Sequence, residues 1–565
     1  MKSSLVGSLL IWALTASAAP LPSGTSDPFT QERLLQQERE RALRKQNEAT
    51  PDVRLQRPGM GAPTRLPAEE TPCFAIRRIT LVGDAADRFQ WALQAAEPAD
   101  DPAMGRCLGT DGINLTMKRI QDAIIRRGYV TTRVLAAPQD LKSGTLTLTL
   151  VPGRIRAVRF TSGSSPRATQ WNALPARPED ILNLRDIEQA LENFKRVPTA
   201  DADIRITPAE GKGARPGESD LVIAWQQSFP LRLNLSLDDA GNKATGRYRG
   251  GVTVSYDDWW TLNDLFYISY SDALAGSDRG SRSLTAHYSL PLGYWLLGFT
   301  TSSNEYYQAV AGLNQTYTYS GKSENDELKL SRVVYRDASR KITLSLSGWL
   351  NTSNNYIDDT EVVVQRRRMA GWTFGAADKE FIGKATLDTD LAYRNGTGAM
   401  GALPAPEESF GEGTARPRIL QVNLQLALPF AVGRQRLRYL GKVRTQWNDT
   451  PLVPLDRFAI GGRYTVRGFD GENTLSADRG WLVRNDLGWA LGGTGQELYL
   501  GLDHGEVAGP ASKYLVGTSL TGAVLGMRGG RWGASYDLFV GWPLAKPEGF
   551  ATDARTYGFN LNWSL

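Results

Sequence analysis

The chain has 565 residues, enough for three or more domains, and 22% of them are charged, with a formal net charge of only +5. Because no long basic run accompanies that charge, binding to nucleic acid has little support. The mean hydropathy of −0.34 is typical of soluble proteins. It does not exclude a membrane β-barrel, whose strands alternate apolar and polar residues and average out near neutral.

Residues 1–18 have the features of a secretory signal peptide. Lys2 supplies the positive charge, residues 5–14 form a short apolar core, and residues 16–18 fit a small-residue cleavage site. The apolar core is too short to span a bilayer as a helix, and no later segment reaches the roughly 18–20 apolar residues that such a helix needs. We therefore predict an exported protein, with an uncleaved anchor as the alternative.

A polar helix is predicted after the signal, with Asp27 as N-cap and Pro28 in the first turn. Residues 31–46 are good helix formers, and Glu40 and Arg44 are spaced for an i,i+4 ion pair. The apolar stripe is thin and consists of Leu34, Leu35, Ala42 and Leu43. A helix this polar either stands in water or lies in a polar cavity. About 21 helical residues would extend roughly 31 Å, close to the thickness of a bilayer.

Residues 49–72 form a proline-rich linker after this helical segment, which we place at residues 19–48. The prolines are Pro51, Pro58, Pro63, Pro67 and Pro72. Fully extended, such a linker could reach on the order of 80 Å. The helix therefore need not lie beside the domain that follows it.

The two cysteines, Cys73 and Cys107, both lie in the N-terminal third. In an exported chain a lone pair favours a disulfide. Closing a loop of about 34 residues would stabilise the domain by roughly 3–4 kcal/mol. Two free thiols are the alternative, and zinc is less favoured because His287 and His504 lie far away in the sequence.

Residues 73–152 and 153–228 repeat one β-α-α-β-β pattern, each over about 75 residues. The predicted elements of the first copy are a strand at 76–82, a helix at 89–96, a helix introduced by Asn114, and strands at 129–135 and 145–151. Those of the second copy are a strand at 155–160, two helices of which the second is capped by Asn183, and strands at 202–207 and 221–225. Small sheets of this kind leave an edge strand free to pair with an extended segment of another chain. Structural spacers are the alternative.

Residues 229–565 alternate apolar and polar residues in one segment after another. Leu231, Leu233, Leu235 and Leu237 begin the pattern, and it continues to Leu565. Repeated segments of this kind, separated by turn residues and containing many aromatics, indicate an outer-membrane barrel of about 16 antiparallel strands. A barrel of this size encloses an aqueous channel, which the polar helix could plug. A soluble propeller or sandwich is the alternative.

Two segments near the C-terminus are expected to meet inside this barrel. Residues 458–469 place Arg467 between Val466 and Gly468-Phe469, an order of residues that favours a loop folded back and packed. In the strand around residues 498–505, Leu498, Leu500 and Leu502 share the parity that faces lipid. Tyr499, Gly501 and Asp503 share the other parity and would face the lumen. A lumen-facing carboxylate such as Asp503 could pair with an arginine on an infolded loop, and a solvated loop charge is the alternative for Arg467. In a wet lumen such a pair would contribute roughly 0–1 kcal/mol.

Taken together, these segments resemble the outer-membrane transporters of two-partner secretion, the FhaC/ShlB/CdiB group of barrels with periplasmic POTRA domains. Residues 458–469 resemble the family's inward-folded sixth extracellular loop with its Val-Arg-Gly-Phe/Tyr tip. Residues 498–505 resemble the family strand whose aspartate pairs with the loop arginine. One departure is the last residue, Leu565, where such barrels commonly end in Phe.

The resemblance implies a transport pore in the outer membrane, with its POTRA domains in the periplasm. It would export one large partner protein (a haemolysin, an adhesin or a contact-dependent toxin) whose secretion domain binds the POTRA pair. The helix that carries Pro28, Leu35, Glu40 and Arg44 would act as the plug. Outer-membrane lipid and the barrel-insertion machinery are further expected partners. No cofactor or enzymatic activity is expected, and a barrel-protein insertase and a plugged diffusion porin are the alternatives.

Overall fold

The computed structural model describes residues 28–48, 51–55, 65–274, 276, 278–311 and 315–565. The predicted signal peptide, the N-cap Asp27 and part of the proline-rich linker lie outside these residues. The first element is helix α1, Pro28–Asn47, which begins at the predicted proline. None of the helices in the described ranges is both long enough and apolar enough to cross a membrane.

The first POTRA-like unit has a three-stranded mixed sheet, a separate two-stranded sheet and three helices. The three-stranded sheet consists of β2 (Arg78–Gly83), β4 (Arg133–Leu135) and β5 (Thr145–Val151), and β1 (Phe74–Ala75) pairs with β3 (Cys107–Leu108). The helices are 3-10 helices at Ala86–Ala96 and Leu141–Ser143 and α2 at Thr110–Arg126. Strand β5 lies in the middle of the sheet, parallel to β2 and antiparallel to β4. The predicted disulfide is confirmed, because Cys73 and Cys107 are joined with their Cα atoms 5.2 Å apart.

Helix α2 begins earlier than the sequence predicts. Asn114, predicted to introduce this helix, lies within it, because the carboxylate of Glu70 supplies the cap instead. It accepts hydrogen bonds from the backbone N–H groups of Gly109, Asp111 and Gly112 at 2.8 to 3.2 Å. The cap comes from the linker, 40 residues away from the helix start (110 − 70), so no local motif could reveal it.

The second unit has a three-stranded sheet and a single helix in the described residues. Its elements are β6 (Arg154–Phe160), α3 (Leu184–Phe194), β7 (Ala200–Pro208) and β8 (Glu218–Gln227). Asn183 caps α3 as predicted, accepting a hydrogen bond from the Arg185 N–H. The predicted first helix is wrong: residues 161–182, all described, contain turns, bends and one isolated β-bridge but no helix. Pro166, Pro175 and Pro178 interrupt this segment, which disfavours a helix.

A closed antiparallel barrel of sixteen long strands follows. The strands are β9 (Leu231–Asp238), β10 (Arg249–Asp257), β11 (Leu265–Ala273), β12 (Arg279–Leu292), β13 (Trp295–Ala311), β14 (Thr316–Arg336), β15 (Arg340–Ile357), β17 (Arg367–Ile382), β18 (Ala385–Thr397), β19 (Arg418–Val432), β20 (Gln435–Asn448), β23 (Arg479–Ala490), β24 (Gln496–Ala508), β25 (Ser519–Arg531), β26 (Ala534–Ala545) and β27 (Thr556–Ser564). Short strands β16 (Thr360–Glu361), β21 (Phe458–Ile460) and β22 (Leu475–Ala477) lie in the connections. Strand β27 pairs with β9 and closes the barrel. The predicted fold class is confirmed.

Candidate transport pore

Helix α1 lies inside the barrel and contacts opposite parts of its wall. Its polar side chains reach Ala240, Asn242, Ser281, Ser302, Glu327, Gln425, Arg444 and Leu455. These residues belong to strands β12, β13, β14, β19 and β20 and to two connecting loops. A 20-residue helix extends about 30 Å, so α1 runs along most of the lumen. The helix therefore stands in a polar cavity, as one of the two sequence-based readings proposed.

The first turns of α1 are anchored by Glu32, whose side chain is fully buried. Its carboxylate accepts hydrogen bonds from Arg39 at 3.0 Å and from Thr245 at 2.6 Å. Asn242 and Ser281 donate two more, at 2.9 and 2.8 Å. A buried carboxylate is tolerated only when it is paired and hydrogen-bonded in this way. Glu32 thus fixes the position of the helix start, although the sequence does not single it out.

The predicted plug residues lie at different places along the helix. Pro28 is its first residue, and Leu35 is half-buried and faces loop residue Leu455 across a small cavity. Glu40 accepts a hydrogen bond from Ser302 at 3.1 Å. Arg44 pairs with Glu327 of the wall at 2.6 Å and with Glu48 at 3.1 Å. The predicted Glu40–Arg44 pair does not form at ion-pair distance, because Ser302, Glu327 and Glu48 offer these side chains closer partners.

Residues 449–478, the sixth loop, fold into the lumen and place Arg467 against the wall. The Arg467 Nε and an Nη atom donate to the Asp503 carboxylate at 2.7 and 2.8 Å, and the Arg467 backbone N–H donates to it at 3.0 Å. Arg467 is 4% exposed and Asp503 1%. The setting is therefore buried, whereas the sequence-based estimate of roughly 0–1 kcal/mol assumed a wet lumen. Breaking one partner of a buried pair costs far more.

Arg467 has a second carboxylate partner that the sequence reasoning missed. Asp486 of β23 accepts from an Arg467 Nη atom at 2.5 Å and from Arg528 at 3.1 Å. Arg528 in turn pairs with Glu497 at 2.6 Å. Asp486 lies opposite Gly501 in the β23–β24 register, on the same lumen-facing side as Asp503. Strand parity applied to β23 would have placed Asp486 on the lumen side, but it would not have placed it beside Arg467. The result is a chain of alternating charges along the wall.

The loop tip lies so close to the wall that only glycine fits at the contacts. Gly468 has a φ of +96°, and a Cβ there would overlap the carbonyl oxygen of Trp542. On the wall side, a Cβ at Gly522 would overlap the Arg467 carbonyl oxygen. A Cβ at Gly541 would lie 2.9 Å from the Gly468 Cα. Backbone thus packs directly on backbone at the tip.

An apolar cluster holds the rest of the loop. It joins loop residues to the wall and to neighbouring loops, and its buried members are Phe458, Ile460, Val466, Phe469, Leu475, Ala477, Leu482, Val507, Ala511, Leu520 and Phe550. Phe469 meets Phe550 edge to face, with ring centroids 5.8 Å apart. Burial of this many apolar side chains stabilises the loop as a hydrophobic core stabilises a domain.

Helix and loop also touch each other. The Gln31 side-chain amide donates to the carbonyl oxygens of Gly471 and Glu472 at 2.6 and 2.7 Å. Gln37 reaches the Leu455 carbonyl at 3.4 Å. These contacts use loop backbone atoms, so they can be given up without disturbing the Arg467 network. Among the described residues, no group of three or more His, Cys, Asp and Glu side chains is placed to hold a metal ion.

Comparison with known proteins assigns this architecture to a family. The family model described as "Haemolysin secretion/activation protein ShlB/FhaC/HecB" matches residues 217–529. Models for a ShlB-type POTRA domain and a POTRA domain match residues 74–153 and 154–208. The chain belongs to the ShlB/FhaC/HecB family. It is an outer-membrane transporter of two-partner secretion with its POTRA domains in the periplasm, which confirms the resemblance drawn from the sequence.

Relatives and solved structures agree with this assignment. The chain is 36% identical to the outer membrane transporter CdiB-2 of Burkholderia pseudomallei (strain 1026b), over 98% of each chain. It is 29% identical to the outer membrane transporter CdiB of Dickeya dadantii (strain 3937), over 88% of each chain. The structure of CdiB from Acinetobacter baumannii superposes with a TM-score of 0.85 at 29% identity, over 96% of this chain and 99% of that one.

Proposed function

We propose that this transporter exports one large partner polypeptide through the barrel lumen and that helix α1 leaves the lumen to let it pass. The partner is a haemolysin, an adhesin or a contact-dependent toxin, and its secretion domain binds the POTRA pair. The sixth loop stays against the wall and lines the open path. The family is one of transporters, and no step of this scheme needs an enzymatic activity.

The observation that carries the proposal is the polar character of the helix contacts. Apart from a thin apolar stripe, α1 meets the wall through ion pairs and hydrogen bonds. Water and the polar side chains of a passing chain can replace such contacts, since the net contribution of each hydrogen bond to stability is only about 0.5–1.5 kcal/mol. A helix held in this way can be withdrawn without exposing a hydrophobic surface.

Ion conductance tests the proposal directly. Full-length protein and a variant lacking residues 28–48 are reconstituted in planar bilayers. We expect the deletion to give a larger and steadier conductance, because the element along the lumen is gone. Substituting Arg41, whose ion pair with Glu38 lies within the helix, by Ala serves as a control and should leave the conductance low. Equal conductance of the deletion variant and the full chain would contradict the plug.

Secretion supplies the second readout. The partner to use is a very large exported protein encoded beside this gene, produced together with the transporter. We expect that protein in the medium with the full-length chain and its retention in the periplasm when residues 73–228 are deleted. Secretion without the POTRA pair would contradict partner binding by these domains.

A further inference from the structure

A short segment of the linker, residues 51–55, lies between the second POTRA unit and the barrel. Three hydrogen bonds hold its backbone. The Val53 N–H donates to Glu192 at 3.1 Å, and the Leu55 N–H donates to Glu188 at 2.9 Å. Arg336, at the end of strand β14, donates to the Val53 carbonyl oxygen at 2.6 Å. Three side chains thus bind this short segment through its backbone N–H and carbonyl groups.

These three side chains form a built site of their own. Arg336 pairs with Glu192 at 2.9 Å and with Glu188 at 3.2 Å, and all three side chains are buried. Gln189 adds a hydrogen bond to Arg336 at 3.2 Å. The carboxylates come from α3 and the guanidinium from the barrel, so the site exists only where the POTRA unit meets the pore. We call it the junction groove, defined by Glu188, Glu192 and Arg336.

Side chains of the segment make further contacts beside the junction groove, among them Arg54, which lies 3.7 Å from the ring centroid of Phe381. Asp52 pairs with Lys379 at 2.7 Å and with Lys341 at 3.2 Å. Burial raises the pKa of the Asp52 carboxyl, but the hydrogen bonds from these lysines outweigh burial and hold that pKa below its ordinary value. Val53 and Leu55 pack against the apolar core of the second POTRA unit. The groove therefore accepts aliphatic side chains and an acidic one beside them.

The junction groove opens towards the lumen. A cavity of about 880 Å³ extends between the second half of α1 and the wall. Asp52, Glu192, Lys341 and Lys379 line it at the groove. Arg44 of the helix lines it within the barrel. A peptide bound in the groove is thus beside a large cavity that continues along the helix into the barrel.

We propose that the junction groove binds an extended segment of the exported polypeptide and that residues 51–55 occupy it as an intramolecular competitor. This inference rests on the proposed export function. When α1 leaves the lumen, its linker leaves the groove, and the groove then holds the travelling chain at the entrance of the open pore. Recognition of backbone atoms suits this role, because successive segments of one long chain have different side chains.

A fluorescent synthetic peptide with the sequence of residues 51–55, Pro-Asp-Val-Arg-Leu, tests the proposal on purified full-length protein. In wild-type protein the linker fills the groove, so binding is weak. The double variant Asp52→Ala, Leu55→Ala loosens the linker and leaves the groove intact. We expect it to bind the peptide roughly tenfold more tightly, because apparent affinity rises with the fraction of empty grooves.

Two controls make the result specific. A peptide N-methylated at Val and Leu lacks the two N–H groups that donate hydrogen bonds to Glu192 and Glu188. It should therefore not bind the loosened variant. Adding Lys379→Glu to the loosened variant should weaken its binding of the original peptide. The same variant should bind a second peptide, in which Lys replaces Asp, more tightly. Each variant is first shown to be folded by its heat-modifiable migration in gels.

Equal binding of the N-methylated and plain peptides, or equal binding by wild type and loosened variant, would overturn the proposal. So would a lack of peptide binding by the folded loosened variant. These outcomes leave the conductance of the helix deletion untouched. Failure of the groove is thereby distinguished from failure of the export function.

Discussion

Helix α1 and the sixth loop share the lumen, but different interactions hold them there. The helix meets the wall through polar side chains, which are partly solvated at Glu40 and Arg44 and buried only in the first turns, around Glu32. The loop buries an apolar cluster and pairs Arg467 with two carboxylates away from water. Polar contacts exchange with water at low cost, whereas unpaired buried charges and exposed apolar surface do not. The helix is therefore the removable element, and the loop is part of the wall.

The largest effect is expected from removing the loop's buried charge. Arg467→Ala or Asp503→Ala leaves a partner buried and unpaired, which destabilises the loop by roughly 3–5 kcal/mol. We expect secretion to fall sharply while the barrel still inserts, as measured by partner in the medium and by heat-modifiable migration. Arg467→Lys keeps the charge but loses the two-pronged contact, so an intermediate loss is expected. Wild-type secretion by both alanine variants would show that the pairing has no role in transport.

The backbone contact of the loop tip gives the next largest effect. Gly522→Ala forces its Cβ against the Arg467 carbonyl oxygen, and overpacking of this kind costs about 1–3 kcal/mol. Gly348→Ala is the matched control, since a Cβ on that strand glycine meets no atom within 4 Å. Gly522→Ala should lower both secretion and the temperature of barrel unfolding in gels, and Gly348→Ala should change neither. Equal behaviour of the two variants would remove the argument that the tip is fixed.

A single helix contact should have the smallest effect. Arg44→Ala removes one partly exposed ion pair with the wall, to Glu327, together with a pair to Glu48 at the end of the helical segment. Such exposed pairs contribute roughly 0–1 kcal/mol each. Single-channel recording should show more frequent opening, by a factor of up to about 5, with the barrel's thermal stability unchanged. Arg41→Ala removes the same charge without breaking a direct ion pair to the wall and should open like wild type. A large loss of barrel stability in Arg44→Ala would show that the helix, like the loop, is a fixed part of the wall.

The features predicted correctly from the sequence are those that local patterns determine. Period-two alternation gives the barrel and places Asp503 on the lumen side, since parity is a property of one strand alone. The linear order of residues around Arg467 likewise favours an infolded tip. Asn183 caps α3 because the residues that follow it are adjacent in the chain.

The features that were missed depend on contacts between distant segments. Glu70 caps α2 from the linker, and Asp486 joins Arg467 from another strand. Gly522 is required because the loop places the Arg467 carbonyl oxygen directly against it. Neither strand register across the barrel nor the depth of the loop can be read from one sequence. Glu327, the wall residue that pairs with Arg44, was missed for the same reason.

Two reversible tethers test most directly whether the helix moves and the loop stays. Cysteines replacing Glu40 and Ser302 tie α1 to the wall, and cysteines replacing Asp470 and Asp553 tie the sixth loop to its neighbour. Each pair is joined by a reducible thiol cross-linker, with wild-type protein treated alongside. We predict that the helix tether stops secretion until it is reduced and that the loop tether leaves secretion unchanged. Secretion through the helix-tethered protein, or a block by the loop tether, would contradict the account.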